Sequence, residues 1–186
     1  MSGPSLFVLG GARSGKSRYA QARAEAAGAN PVFVATAEAF DDEMRERIAR
    51  HRADRDMRWT TVEAPRELPA AIDAVNGEGA VVLVDCLTLW VSNLLLADAN
   101  IARAGQQLCD AIGRFEGTLI LVANEVGLGI VPDNPLARSF RDLAGSAHQR
   151  LAEICDDVYF VIAGLPMTLK GDPPSDGGPN NGVHEA

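Results

Sequence analysis

Short, unbroken apolar runs recur along this 186-residue chain at residues 6–9, 31–36, 80–85, 118–124 and 158–163. Continuous runs of this length, with no polar alternation, are the pattern of strands buried on both faces of a parallel sheet. Residues 59–63 alternate instead and predict a short strand. Residues 167–170 predict a short antiparallel return after the last long run. Between these runs the apolar period lengthens to three and four. Arg18, Tyr19, Ala20, Ala22, Ala24 and Ala26 outline a first helix. Further helices are predicted over 41–54, 66–75 (stopped by Asn76-Gly77), 88–96 and 101–115. Asn134 and Pro135 then read as the cap and first residue of a long helix. Its apolar side is Leu136, Phe140, Leu143, Ala147, Leu151 and Ile154. Strands alternating with helices predict a three-layer α/β domain with a mostly parallel central sheet. The domain is expected to span residues 1–170. Residues 171–186 hold seven Gly and Pro in sixteen positions and no apolar period, and read as a disordered tail.

Composition changes this picture little. The formal net charge of −8 argues against a general nucleic-acid binder, which would show a basic face. No apolar run approaches the ~20 residues needed to cross a membrane. The N-terminus lacks the basic segment of a signal peptide. Cys86, Cys109 and Cys155 form no CxxC pair and read as reduced thiols, so a cytoplasmic protein is expected.

Chemistry enters where the first apolar run ends. Gly10-Gly11-Ala12-Arg13-Ser14-Gly15-Lys16-Ser17 places glycine, four residues, and then Gly-Lys-Ser between a strand and a helix. That is the phosphate-binding P-loop. Gly10 and Gly15 permit positive φ, so backbone N–H groups can close around an anion at a helix N-terminus. Lys16 is then placed to reach the terminal phosphates, and the Ser17 hydroxyl to ligate Mg²⁺. Asp85 ends another buried run, at the strand end where α/β sheets gather their ligands. It reads either as the second Mg²⁺-associated carboxylate or as an ordinary helix cap. Asn124 and Glu125 end a third run, with ligand and structural roles both open.

Residues 45–58 carry six arginines (45, 47, 50, 52, 55 and 58) in an otherwise acidic chain. Arg47, His51 and Arg55 fall on one helical face. The cluster suits phosphate oxygens, although each arginine alone also pairs with neighbouring carboxylates. His51 reads as a core-flanking residue or as a nucleophile toward phosphorus. His148, on the long helix, reads as structural, and His184 lies in the tail.

Four stretches in order resemble one family, the bifunctional adenosylcobinamide kinase / adenosylcobinamide-phosphate guanylyltransferases of cobalamin biosynthesis. They are the P-loop through Arg18; Asp41-Asp42-Glu43-Met44 with Arg47-Ile48 and His51-Arg52; Asp85-Cys86-Leu87-Thr88 leading to Asn93-Leu94-Leu95; and residues 124–132 continuing to Arg138, Arg141-Asp142 and Gln149-Arg150-Leu151. The resemblance covers residues 6–170. It implies a RecA-like P-loop fold assembled as a homotrimer. It also implies two reactions: phosphorylation of adenosylcobinamide by ATP or GTP, then transfer of GMP from GTP to adenosylcobinamide phosphate through a GMP-histidine intermediate. His51 matches that histidine. The implied nucleotide contacts are Gly10 to Ser17, Ala35, Thr36, Ala37, Arg52, Ala53, Asp54, Arg55, Glu63 and Asp85. Two departures accompany it: some members carry Glu at Asp85, and many carry Asn at His148.

Two rival readings are a P-loop small-molecule kinase without guanylyltransferase activity and a GTP-sensing switch. The switch fits poorly. It would need an Asn-Lys-x-Asp base-reading motif, and the chain offers Asn124-Glu125-Val126-Gly127.

Overall fold

The computed structural model describes residues 2–38 and 56–173. In chain order its strands are β1 (Ser5–Gly10), β2 (Val32–Ala35), β3 (Thr60–Glu63), β4 (Val81–Asp85), β5 (Thr118–Asn124), β6 (Asp157–Ile162) and β7 (Leu165–Lys170). The described helices are α1 (Lys16–Ala27), α2 (Leu68–Ala74), α3 (Leu87–Leu96), α4 (Ile101–Arg114) and α5 (Pro135–Ile154). One seven-stranded sheet runs β3-β2-β4-β5-β1-β6-β7, with every pairing parallel except β6 with β7. The runs most uniformly apolar in sequence, β1, β4 and β5, occupy its centre, and their side chains are buried on both faces.

Two layers of core result. On one face Leu6, Val8, Val81, Leu83, Ile120 and Val122 pack under α1, which contributes Tyr19, Ala20 and Ala24. The small alanines let α1 lie close to the sheet, so the loop that precedes it is held close as well. On the other face Phe7, Leu9, Val82, Val84, Leu119 and Leu121 pack under α2, α3, α4 and α5 through Leu68, Ile72, Trp90, Leu108, Phe115 and Leu151. Each fully buried side chain of this size contributes about 1.5–3 kcal/mol from its transfer out of water. Asn134 caps α5 as expected: its Oδ1 accepts from the Leu136 and Ala137 N–H groups at 2.8 and 3.2 Å.

β4 and β1 are not neighbours, because β5 pairs with both. This interposed strand is the RecA-like order expected from the family resemblance. It leaves a gap one strand wide between the end of β1 and the end of β4. The tail residues 174–186 and the helix expected over 41–54 lie outside the described residues.

Candidate active site

β1 delivers the chain to the rim at Gly10, and the next five residues form the loop that leads into α1. Gly15 has φ 93° and ψ 0°, in the left-handed region that glycine tolerates, and it caps α1 without a side-chain hydrogen bond. Arg13 is also left-handed, with φ 55°. At Gly10 a Cβ would sit 2.5 Å from Ser14 Oγ and 2.7 Å from the Val161 carbonyl oxygen. The glycine is therefore required by packing. The Ser14 N–H donates to the Gly11 carbonyl at 3.3 Å, and Lys16 Nζ donates to the same oxygen at 3.3 Å. Lys16 is buried, so its ammonium is folded over the loop it serves. Both strands flanking β1 hold the loop: the Glu125 N–H donates to the Gly10 carbonyl at 3.0 Å, and the Gly164 N–H donates to the Ser14 carbonyl at 2.8 Å. The loop is thus tied back through its carbonyls as it enters the N-terminus of α1, the position at which P-loops bind anions.

The other strand ends converge on the same rim. Gly10 is in register with Asn124, Ala35 with Asp85, and Ala35 with Glu63. Asp85 is the last residue of β4, and the α3 cap is its neighbour Cys86, so Asp85 is not the helix cap. Thr36, just past β2, is fully buried. Its hydroxyl donates to the Cys86 carbonyl at 2.7 Å and accepts from the Cys86 N–H at 2.9 Å. Asn93 Nδ2 ties the same turn together, donating to the Thr36 and Pro65 carbonyls at 2.8 and 2.9 Å. Thr88 Oγ1 accepts from the Asn124 N–H at 2.6 Å, which joins the start of α3 to the end of β5. Glu38 and Arg66 add an ion pair at 3.3 Å across the loops after β2 and before α2.

Electrostatics separate reactive from inert groups. Burial, reinforced by the Asp85 charge, pushes the Cys86 thiol up to about 11, so it stays protonated at neutral pH. Burial likewise lifts Cys155 to about 12. All three cysteines are free. Burial lowers the His148 imidazole below its ordinary value, against a smaller raising effect from Glu125. Its ring lies 5.7 Å from that of Phe7, in keeping with a structural role.

The structure thus brings Gly10 to Ser17, Ala35 to Ala37, Glu63 and Asp85 to one end of the sheet. His51, Arg52, Ala53, Asp54 and Arg55 lie outside the described residues, as do Arg45, Arg47 and Arg50. Arg58, the described member of the arginine cluster, forks onto Asp56 at 2.7 Å on the surface. Glu125 caps its own loop, accepting from the Gly127 and Leu128 N–H groups at 2.6 and 3.1 Å. Gly164 and the clamping roles of Thr88 and Thr36 escape sequence reasoning. Only the Ala163-Gly164 turn between two strand-like runs signals the first of them.

An alcohol at Ser17, in the first turn after the loop, and a carboxylate at Asp85 are hard oxygen donors. That donor set suits Mg²⁺, which takes few protein ligands and relies on substrate phosphates for the rest.

Residues 6–169 match the family model described as cobinamide kinase / cobinamide phosphate guanyltransferase. The chain is 49% identical over 169 residues to the bifunctional adenosylcobalamin biosynthesis protein CobP of Pseudomonas aeruginosa, covering 90% of this chain and 98% of that one. It is 39% identical over 180 residues to the bifunctional adenosylcobalamin biosynthesis protein CobU of Salmonella typhimurium, covering 89% and 99%. A solved structure from Pyrococcus horikoshii OT3 superposes with a TM-score of 0.53 at 12% identity, covering 93% of this chain and 89% of that chain, a likeness of fold alone.

Proposed function

Because the chain belongs to the cobinamide kinase / cobinamide phosphate guanyltransferase family, we propose that it performs both reactions in sequence at the rim of this sheet. In the first, the hydroxyl oxygen of adenosylcobinamide attacks the γ-phosphorus of ATP or GTP. The bond to the β-phosphate oxygen breaks, the nucleoside diphosphate leaves with the electron pair, and the hydroxyl proton is lost to solvent. In the second, a ring nitrogen of His51 attacks the α-phosphorus of GTP. Pyrophosphate leaves, and a GMP-imidazole phosphoramidate remains. A phosphate oxygen of adenosylcobinamide phosphate then attacks that phosphorus, the P–N bond breaks, and adenosylcobinamide-GDP is released with His51 regenerated.

The observation that carries this reading is the P-loop itself. Gly10 and Gly15 shape it, Gly164 and Glu125 brace it, and buried Lys16 lies across it. Its N–H groups and the α1 terminus hold and orient the triphosphate, and the Lys16 ammonium balances charge on the bridging and leaving oxygens. Mg²⁺, when bound through Ser17 and Asp85, supplies further charge neutralisation on the phosphates. Arg52 and Arg55 are assigned to phosphate binding beside His51 because guanidinium forks match phosphate oxygens. Thr36, with its hydroxyl committed to Cys86, acts by positioning the Asp85-Cys86 turn. We assign the protein to the cytoplasm as a homotrimer. The trimer rests on the family resemblance, and the cytoplasmic assignment is in keeping with the three free cysteines; no described helix is long and apolar enough to cross a membrane.

The test is covalent labelling. Incubation with GTP labelled at the α-phosphate, followed by denaturation, leaves an acid-labile, base-stable adduct that His51→Ala abolishes. A wild-type protein that retains no label and releases no pyrophosphate would exclude nucleotidyl transfer.

A further inference from the structure

The loop between β5 and α5 combines firm construction with a wet apolar surface. Leu128, Ile130 and Val131 are 82%, 97% and 63% exposed, and Leu136 on the first turn of α5 is 51% exposed. Large side chains left in water cost free energy that folding normally avoids. Yet polar contacts fix the backbone at both ends of the loop. Glu125 accepts from the Gly127 and Leu128 N–H groups, while Arg138 Nη1 donates to the Pro132 and Asp133 carbonyls at 2.8 and 2.7 Å. Asn134 Oδ1 then caps the helix that follows. The apolar residues between these anchors are held outward by a built scaffold.

The loop is also continuous with the phosphate cradle. Asn124 is in register with Gly10, and the Glu125 N–H donates to the Gly10 carbonyl at 3.0 Å, so the apolar segment begins at the wall of the P-loop. The acceptor substrate of the family is a corrinoid. It is a bulky macrocycle with methyl-studded apolar faces and amide arms, and one arm carries the hydroxyl that must reach the γ-phosphate. An apolar shelf anchored at both ends and continuous with the P-loop would supply the missing half of such a site. It offers contact area to the ring while leaving the arm free to extend across Gly10 and Gly11.

We propose that Leu128, Ile130, Val131 and Leu136 form the docking shelf for the corrin ring of cobinamide, the exposed loop of β5–α5 acting as the acceptor subsite of the nucleotide centre. This rests on the family reading given above. The charged and polar anchors position the shelf, and the four apolar side chains touch the ring.

The experiment compares full-length wild type with Leu128→Ser/Ile130→Ser, whose exposed side chains leave the core untouched. Three quantities are measured: equilibrium binding of adenosylcobinamide by its visible absorption, KM for adenosylcobinamide and for nucleotide in the kinase reaction, and molecular mass in solution. The proposal expects corrinoid affinity to fall at least tenfold and KM for corrinoid to rise to match. Nucleotide KM should change less than twofold, and the mass should stay that of the wild type. Unchanged corrinoid affinity would overturn it. A lowered mass would also overturn it, by making the loop a contact between copies of the chain. A wild type that neither binds nor phosphorylates adenosylcobinamide would instead overturn the family reading, a result separable from failure of the shelf alone. Leu128→Met/Ile130→Met, which keeps the apolar area, is expected to bind corrinoid within threefold of wild type.

Discussion

The N–H of Gly164 donates to the carbonyl of Ser14 at 2.8 Å, so the turn between β6 and β7 grips the middle of the phosphate loop. The two residues are 150 positions apart in the chain, and Gly164 itself is left-handed at φ 83°. The contact explains why Gly15, beside Ser14, faces backbone: a Cβ there would lie 3.0 Å from Gly164 Cα.

Replacing Gly15 tests that arrangement. In Gly15→Ala the left-handed backbone costs about 1–2 kcal/mol, and the methyl group presses on Gly164. A lower Tm and at least a tenfold rise in nucleotide KM are expected, read by thermal unfolding and steady-state kinase assays. Wild-type kinetics would mean that the grip has no bearing on phosphate binding.

Thr36 offers a second test, because its hydroxyl both donates to and accepts from the backbone of Cys86 in a fully buried site. Thr36→Val keeps the shape and orphans two buried polar groups, a loss of about 2–3 kcal/mol. Chemical denaturation should show that loss. Thr36→Ser, which keeps the hydroxyl, should recover most of it. If valine and serine behave alike, the hydrogen bonds are not what fixes the Asp85-Cys86 turn.

His148 predicts a pH dependence. Its folded value is lowered, chiefly by burial, so the unfolded chain binds the proton more readily. The imidazole's share of stability is therefore complete above its ordinary value of 6.5 and is lost as pH falls below that toward the folded value. Unfolding free energies measured from pH 7 down to about pH 5 should decline more steeply in wild type than in His148→Asn. Parallel slopes would remove His148 as the source.

Much of this was legible in the chain. The apolar runs at 80–85 and 118–124 became β4 and β5 within a residue, because a strand buried on both faces needs apolar side chains at every position. The P-loop was legible because its chemistry is local: a few neighbouring residues make the turn, the cap and the charge. Boundaries slipped where local signals were weak. The helix expected from residue 66 begins at Leu68, next to Pro69, and the return strand starts at Leu165, two residues earlier than expected. The interposition of β5 between β1 and β4 leaves no mark in local periodicity, since strand order is set by tertiary packing. Nor do the pairing of Gly164 with Ser14 or the clamp of Thr36 on Cys86, contacts that join segments 150 and 50 residues apart. The exposure of Leu128 and Ile130 is likewise a tertiary property that the local sequence does not report.

Lys16 is expected to be required for phosphorylation and His51 for guanylyl transfer. Product analysis with adenosylcobinamide, ATP and GTP tests it most directly. Wild type should yield adenosylcobinamide-GDP. His51→Ala should stop at adenosylcobinamide phosphate, formed within a fewfold of the wild-type rate, and Lys16→Ala should form neither product. Equal loss of phosphorylation in both variants, or adenosylcobinamide-GDP made by His51→Ala, would contradict the account.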